Sequence, residues 1–379
     1  MKPGNTRALL GVLLFSLAAA SLHAADEEEL FGIFSEGGLI TESEESEQLL
    51  DEDLLSNKDG VETGGSYGFT TTGSWFWNTD TDPAPENISE QLDYSLEARL
   101  FFSARPDTNI RVYGESWISS PFVTAEDIVH LDELFADFTV GDSLFLRAGK
   151  QTMKWGVGYF FSPADLLSLS EIDPEDPEAD LEGPVGLKAN MAAGTNNLYL
   201  YGIIPEEASV PSDIALASKF ELIAGAAEIG FGGYYLHDRN AAGMVTMTGA
   251  LWDLDLFAEA VVQYDFIQDP WPEATIGQRY SWDHAESELA FSLTGQLYYT
   301  GAADGAFHAA ALGNLSFTDT ISSSLFWKGS LEENSGSLKP SVTWKAHDYV
   351  RLDLSFPFNY GDVTMMGVSL ECSLGGTKF

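Results

Sequence analysis

The side chains of this sequence that could do chemistry are charged residues spaced two apart, and they come in matched sets. Around a short turn at Gly141–Ser143, Asp137 falls opposite Arg147 and Glu133 opposite Gln151. Around a turn at Pro106–Asn109, Arg99 falls opposite Glu115 and Ser103 opposite Arg111. Opposite charges on neighbouring strands can neutralise each other and brace a wall. They can also set up a transverse field that sorts solutes by charge. Both readings stay open on these residues alone. Groups for covalent chemistry do not assemble. His130, His237, His284, His308 and His347 are scattered among loops, turns and strands, without a serine or aspartate partner in register. Metal-type spacing is missing, as is a glycine-rich phosphate loop between a strand and a helix. No catalytic residue, cofactor or metal is assigned, and the expectation is a protein that is not an enzyme.

Such spacing demands strands. Alternation of period two recurs from about Ser66 to Leu374. In Leu92–Phe102 one face reads Leu, Tyr, Leu, Ala, Leu, Phe and the other Asp, Ser, Glu, Arg, Phe. Glu286–Tyr299 and Val350–Phe356 repeat the pattern. Full charges in mid-strand do not suit the inner face of a soluble sandwich. Strands of about 9–13 residues match a tilted membrane crossing better than the ~5–6 usual in soluble sheets. Tight turns at Asp107–Asn109, Gly141–Ser143, Gly194–Asn197, Thr318–Thr320 and His347-Asp348 alternate with longer loops. Those loops are Phe122–Ile128, Gln151–Gly183, Pro205–Ile214 and Ile267–Ala285. Trp75, Trp77, Trp117, Tyr298, Tyr299, Trp327 and Trp344 fall near strand ends, as interfacial girdles would. The class predicted is all-β: a transmembrane antiparallel β-barrel of about sixteen strands, fourteen and eighteen remaining open, with a long inserted loop after the fifth strand. Asp269–Asp283 reads as one long loop or as a loop with a short strand, and the count turns on it.

The two ends carry a different kind of signal. Lys2 and Arg7, the apolar run Ala8–Leu22 and the small-residue exit His23-Ala24-Ala25 read as a Sec signal peptide over residues 1–25. Residues 26–65 form an acidic segment without alternation, either disordered in the periplasm or docked as a small plug through Leu30–Phe34. The barrel is expected over 66–379, its last alternating run Met366–Leu374 followed by a terminal Phe379. A formal charge of -41 excludes nucleic acid and anionic surfaces as partners. Cys372 is the single cysteine, so no internal disulfide can form.

The segment His130–Gly156, HLDELFADFTVGDSLFLRAGKQTMKWG, is followed by a proline–aspartate turn at Ser162–Leu167. It resembles a group of porin-like outer-membrane proteins in the style of the alginate-export channels. In these an acidic strand hairpins into an R-x-G-K-Q strand, then Trp-Gly, then P-x-D. The matching positions are Arg147, Gly149, Lys150, Gln151, Trp155, Gly156, Pro163 and Asp165, within about forty residues. The resemblance implies a barrel of porin size with a long insertion after strand five and is silent on substrate. Read from its own residues, Gln151–Gly183 is too long for a hairpin loop. Phe160, Phe161, Leu166, Leu167 and Leu169 make it compact, and Glu171–Glu178 makes it acidic and stiff. It is expected to fold inward and narrow a pore, to cap it, or to lie on the surface. Its prolines and missing turn glycine do not match a calcium loop.

These readings lead to an outer-membrane channel of a diderm bacterium for small hydrophilic solutes, with a mild cation preference. The alternative is a surface adhesin or structural barrel with a blocked lumen. Pore-lining residues are expected at Arg99, Arg111, Glu115, Glu133, Asp137, Arg147 and Gln151. Constriction or cap residues are expected at Trp155, Asp165, Glu171, Asp173, Glu175 and Asp176. The partners expected are outer-membrane lipid, the solutes themselves and, during biogenesis, the barrel-assembly machinery.

Overall fold

The computed structural model describes residues 60–377, apart from 79–87, 121–128, 142, 206–207, 268, 285–287, 303–304 and 362–363. The signal peptide, all but the end of the acidic segment and the Phe122–Ile128 loop lie outside the described residues. Eighteen antiparallel strands close on themselves. The first six are β1 (Val61–Asn78), β2 (Ile88–Asp107), β3 (Ile110–Ser120), β4 (Val129–Val140), β5 (Leu144–Lys150) and β6 (Val185–Ala193). Next come β7 (Asn196–Ile204), β8 (Ala215–Ala224), β9 (Ala227–Leu236), β10 (Asn240–Leu251), β11 (Leu254–Tyr264) and β12 (Trp271–Asp283). The circuit ends with β13 (Ala290–Thr300), β14 (Ala306–Ser316), β15 (Ile321–Ser330), β16 (Ser335–His347), β17 and β18 (Met365–Thr377). Strand β17 runs Val350–Ser355, breaks at Pro357 and resumes as Phe358–Tyr360 between the same two neighbours. Closure is visible at Thr72, which lies opposite Asp93 of β2 on one side and Glu371 of β18 on the other.

The strand number is therefore eighteen rather than about sixteen. The Asp269–Asp283 stretch, open from sequence between one long loop and a loop with a short strand, contains β12, a full strand. Its prolines and acids mask ordinary alternation: Glu273, Thr275 and Arg279 share one face, and Ala274 and Ile276 the other. Pro272 is tolerated because it sits at the strand's second position.

Eighteen strands about 4.8 Å apart and tilted ~40° enclose a lumen about 35 Å across the backbone, too wide for wall side chains to fill. Outward positions are apolar and exposed, among them Leu96, Leu100, Leu134, Phe138, Leu187, Leu200, Val262, Ile276, Leu325 and Leu370. A belt of that kind is stable only in hydrocarbon. No helix among the described residues is long and apolar enough to cross a membrane. Both chain ends of the barrel share one rim with short turns such as Gly194-Thr195, Gly225-Ala226 and Asp348-Tyr349. Connections at the other rim run from three residues (237–239) to the thirty-four of 151–184.

Two local readings change. The β4–β5 register is as expected, with Asp137 opposite Arg147. Across β2–β3 the turn falls at Asp107–Ile110 and a one-residue irregularity lies between Ala104 and Asp107, at Pro106, so the register stands two residues from the expected one. Arg99 then faces Trp117 rather than Glu115, and Ser103 faces Tyr113 rather than Arg111. Trp117 and Tyr298 are not girdle residues either. Each points inward, Trp117 stacked on His130 and Tyr298 on Phe161.

Candidate functional site

Residues 151–184 fold back into the barrel as a compact lobe, and the wall supplies polar anchors for its backbone. The tightest is Glu259 of β11, which is 3% exposed. On its face of β11 the neighbours are Phe257 and Val261, both buried, so its charge has to be met from across the lumen. The lobe meets it. Val157 N–H and Gly158 N–H (2.6 Å) donate to Oε1, as does the Ser162 hydroxyl (2.9 Å), and Ala164 N–H donates to Oε2 at 2.9 Å. Convergent backbone N–H groups of this kind form a nest that holds an anion.

Gln296 of β13 is the second anchor. Its Oε1 accepts from Tyr159, Phe160 and Phe161 N–H at 3.2, 2.7 and 3.3 Å, while its Nε2 donates to Phe161 O and Thr275 Oγ1. Lys219 of β8 donates to Trp155 O at 3.1 Å and ion-pairs with Glu221 at 2.9 Å. Glu133 of β4 accepts from Thr152 N–H at 2.9 Å. The lobe's glycines permit these approaches. A Cβ on Gly156 would sit 1.7 Å from Ser162 Oγ and 2.7 Å from Glu259 Oε1.

Apolar packing completes the docking. Met153, Trp155, Ala164 and Leu167 pack on Tyr201, Ile203, Ala215, Ala217, Met244 and Val261, which line β7, β8, β10 and β11. Phe160 is fully buried against Ala310 and Phe326 on β14 and β15. Arg279 of β12 lies over the Tyr159 ring at 4.7 Å, and that phenol donates to Glu178 at 3.0 Å, tying the two arms of the lobe together. Burial, with Glu178 adding to it, pushes the Tyr159 hydroxyl up to about 12.

The second arm is acidic and held at three points. Glu175 pairs with Lys328 of β15 at 2.7 Å, Asp180 with Arg99 of β2, and Glu182 with Lys150 of β5 at 2.7 Å. Between this arm and the β2–β5 wall lies a cavity of about 700 Å³ that Trp117, His130 and Asp132 also line.

The residues singled out from sequence divide into three groups. Arg111, Asp137 and Arg147 form one inward cluster. Arg147 is bidentate on Asp137 (2.7 and 3.3 Å) and lies over Phe135, while Arg111 lies 4.0 Å from Asp137 and over Tyr113. Glu115 accepts from Tyr113 at 2.5 Å and lies opposite Glu133. Gln151, Trp155 and Asp165 are interior to the lobe: Gln151 is 0% exposed, and Trp155 packs edge-on to Tyr201. Asp165 accepts from Trp155 N–H at 3.0 Å and from Ser168 at 2.9 Å. Burial holds its carboxyl above the ordinary carboxylate range, against the pull of those bonds. Glu171, Asp173, Glu175 and Asp176 lie on the acidic arm, where Asp173 accepts from Glu175 N–H at 2.9 Å and closes a tight turn. Sequence reasoning missed Glu259 and Gln296 as anchors. The available signal was a lone carboxylate between two apolar residues on the same strand face.

Among the described residues no group of three or more histidines, cysteines or acids is placed to hold a metal ion. No family model and no curated protein matches the chain. Solved structures do. Pseudomonas aeruginosa OccK3 (OpdO) aligns with 83% of this chain and 96% of its own, at 10% identity and a TM-score of 0.55. A triple mutant of the Rhodopseudomonas blastica porin aligns with 84% of this chain and all of its own, at 9% identity and a TM-score of 0.46. The fold is that of an outer-membrane porin barrel. The identities carry nothing about solute, and the finer resemblance to alginate-export channels has no family match behind it.

Proposed function

We propose that the chain is an outer-membrane channel through which small hydrophilic solutes diffuse, with a mild preference for cations and no catalytic role. The observation that carries this reading is the docked lobe. It narrows a lumen about 35 Å across, yet its anchors reach only the strands from β2 to β15. The inward faces of β16, β17, β18 and β1 receive no described contact from it. A membrane barrel with a polar interior and a fixed internal constriction is built to pass solutes rather than to hold one. The apolar outer belt and the expected export signal support the outer membrane of a diderm bacterium as its site, with lipid as the surrounding partner.

Cation preference is supported by Glu171, Asp173 and Asp176 on the acidic arm, which make no ion pair among the described residues. The inward bases of β3 and β5 are in contact with Asp137. Planar-bilayer recording of the refolded protein in a tenfold potassium chloride gradient is the test. Steady conductance with a cation-selective reversal potential is expected. A folded, heat-modifiable protein that conducts nothing would refute the channel and favour a blocked structural barrel. An anion-selective potential would refute only the preference.

A further inference from the structure

The cavity of about 700 Å³ beside the second arm carries a chemistry that docking of the lobe does not use. Its wall side is built on one cross-strand pair. Trp117 of β3 and His130 of β4 are directly opposite, and their rings stack at 4.1 Å with 14° between the planes. Next to them β4 holds an extra residue: Glu115 pairs with Glu133 and Ser116 with Leu131, so Asp132 is a bulge. A bulge re-aims its side chain, and here the carboxylate accepts from the Trp117 indole N–H. Neither ring belongs to the apolar packing that holds the lobe. Both stay half-buried, so the stack shows aromatic surface to the cavity.

The arm side supplies Asp176, Glu178, Asp180 and Glu182. Two bases line the same space and both are engaged, Arg99 with Asp180 and Lys150 with Glu182. Five carboxylates therefore face two bases, and a protonated His130 would still leave the balance negative. The same ion pairs fix arm and wall to each other, so the cavity is formed before any ligand arrives.

We propose that this cavity is a binding site for organic cations, ammonium or guanidinium groups carried on a compact planar or apolar body. The charge sits among Asp132, Asp176 and Glu178, and the body lies against the Trp117–His130 stack. Ring faces attract a cation and cover an apolar body at once. A strongly hydrated inorganic ion uses neither, an anion is repelled by the carboxylates, and a neutral ring leaves their charge unmet. The proposal rests on the channel reading for the role of such cations as solutes, and it deepens that reading by naming their class. A weak site of this kind raises their local concentration.

The test uses the refolded mature protein in zwitterionic detergent, with protein-free micelles as the blank. The probe is para-fluorobenzylammonium, followed by fluorine NMR line broadening. Para-fluorobenzoate and para-fluorobenzyl alcohol present the same body with negative charge and with none. Saturable binding of the cation is expected near about 1 mM, the range of so small a ligand, with the other two roughly tenfold weaker or worse. High salt should weaken it severalfold. Trp117→Leu should weaken it roughly tenfold, and Trp117→Phe, which keeps a ring, clearly less. Glu178→Gln keeps an acceptor for the Tyr159 hydroxyl and should weaken it about threefold. Heat-modifiability and unchanged hydrogen exchange at the Val157 and Gly158 amides separate a lost site from an undocked lobe in each variant.

Equal broadening of the three probes would overturn the cation class. Affinity within a factor of about 1.5 of the parent in both Trp117→Leu and Glu178→Gln would overturn the place. Bilayer recording on the same protein keeps the two readings apart. Selective cation binding without conductance would refute the channel alone, and conductance without discrimination among the probes would refute the site alone.

Discussion

Glu259 offers the sharpest test of how the lobe is held. Four donors converge on its carboxylate, three of them backbone N–H groups. A hydrogen bond to a charged group is worth about 1.5–3 kcal/mol, so a plain sum would be about 6–12. Single truncations rarely cost more than about 5, because water and small shifts relieve part of the loss. We therefore expect Glu259→Ala to cost about 4 kcal/mol of local docking, close to a thousandfold at ~1.4 kcal/mol per tenfold. Glu259→Gln keeps the Oε1 acceptor and its three contacts but turns an NH2 toward Ala164 N–H. It should cost about 1.5 kcal/mol, or roughly tenfold. Hydrogen exchange at the amides of Val157, Gly158 and Ala164 reads this directly, since each exchanges through local opening. The strands should be unaffected, because the lobe is an addition to a wall already closed by its own ladder. Exchange in Glu259→Ala within threefold of the parent at all three amides would refute the reasoning. Equal damage from Gln and Ala would show that charge, not acceptor placement, holds the lobe.

Other outcomes follow from the same geometry. Phe160→Ala empties a fully buried site between the lobe and β14–β15 and should weaken docking by about 3–5 kcal/mol, seen as faster proteolysis within 156–170 while barrel heat-modifiability is unchanged. Gly149→Ala should fold poorly, because Gly149 has φ 137° and a Cβ there would sit 2.1 Å from Leu134 O; the backbone term alone is about 1–3 kcal/mol. Wild-type refolding yield on a gel-shift assay would contradict it. For Asp165 the sign follows from a folded-state value raised by burial above 3.8. Docking is strongest below the unfolded value and weakens as pH rises through the raised one. Exchange at the Trp155 amide, corrected for intrinsic pH dependence, should therefore accelerate on raising pH from 3 to 7, and Asp165→Asn should flatten that trend.

What could be read from the sequence, and what could not, divides by the distance over which an interaction acts. Alternation in Leu92–Phe102 needs only neighbours two residues apart, and it identified the wall. The Asp137–Arg147 pair needs only the three-residue turn between them, and its register was legible for that reason. The β2–β3 register was not legible because the turn falls at Asp107–Ile110 and Arg105 and Pro106 lie against Arg111 alone, a local irregularity that alternation does not reveal. Strand β12 stays ambiguous in the sequence because Pro270, Pro272 and three acids look like a loop, or a loop with a short strand, when propensity is weighed without the partner strands that override it.

The lobe shows the other limit. Its two tightest polar anchors join residues about a hundred or more apart, Gly158 to Glu259 and Phe160 to Gln296, and no period in the sequence connects them. The R-x-G-K-Q and Trp-Gly positions were noticed as a pattern, and the structure supplies causes. Gly149 lets β5 leave the wall, Gln151 is buried where the lobe begins, and Gly156 clears room for the Glu259 carboxylate. Each of these residues acts on the placement of the lobe. In a conducting barrel, substitutions within the motif will change how much flows by releasing the constriction. Substitutions at Glu171, Asp173 and Asp176, outside the motif, will change which ions flow.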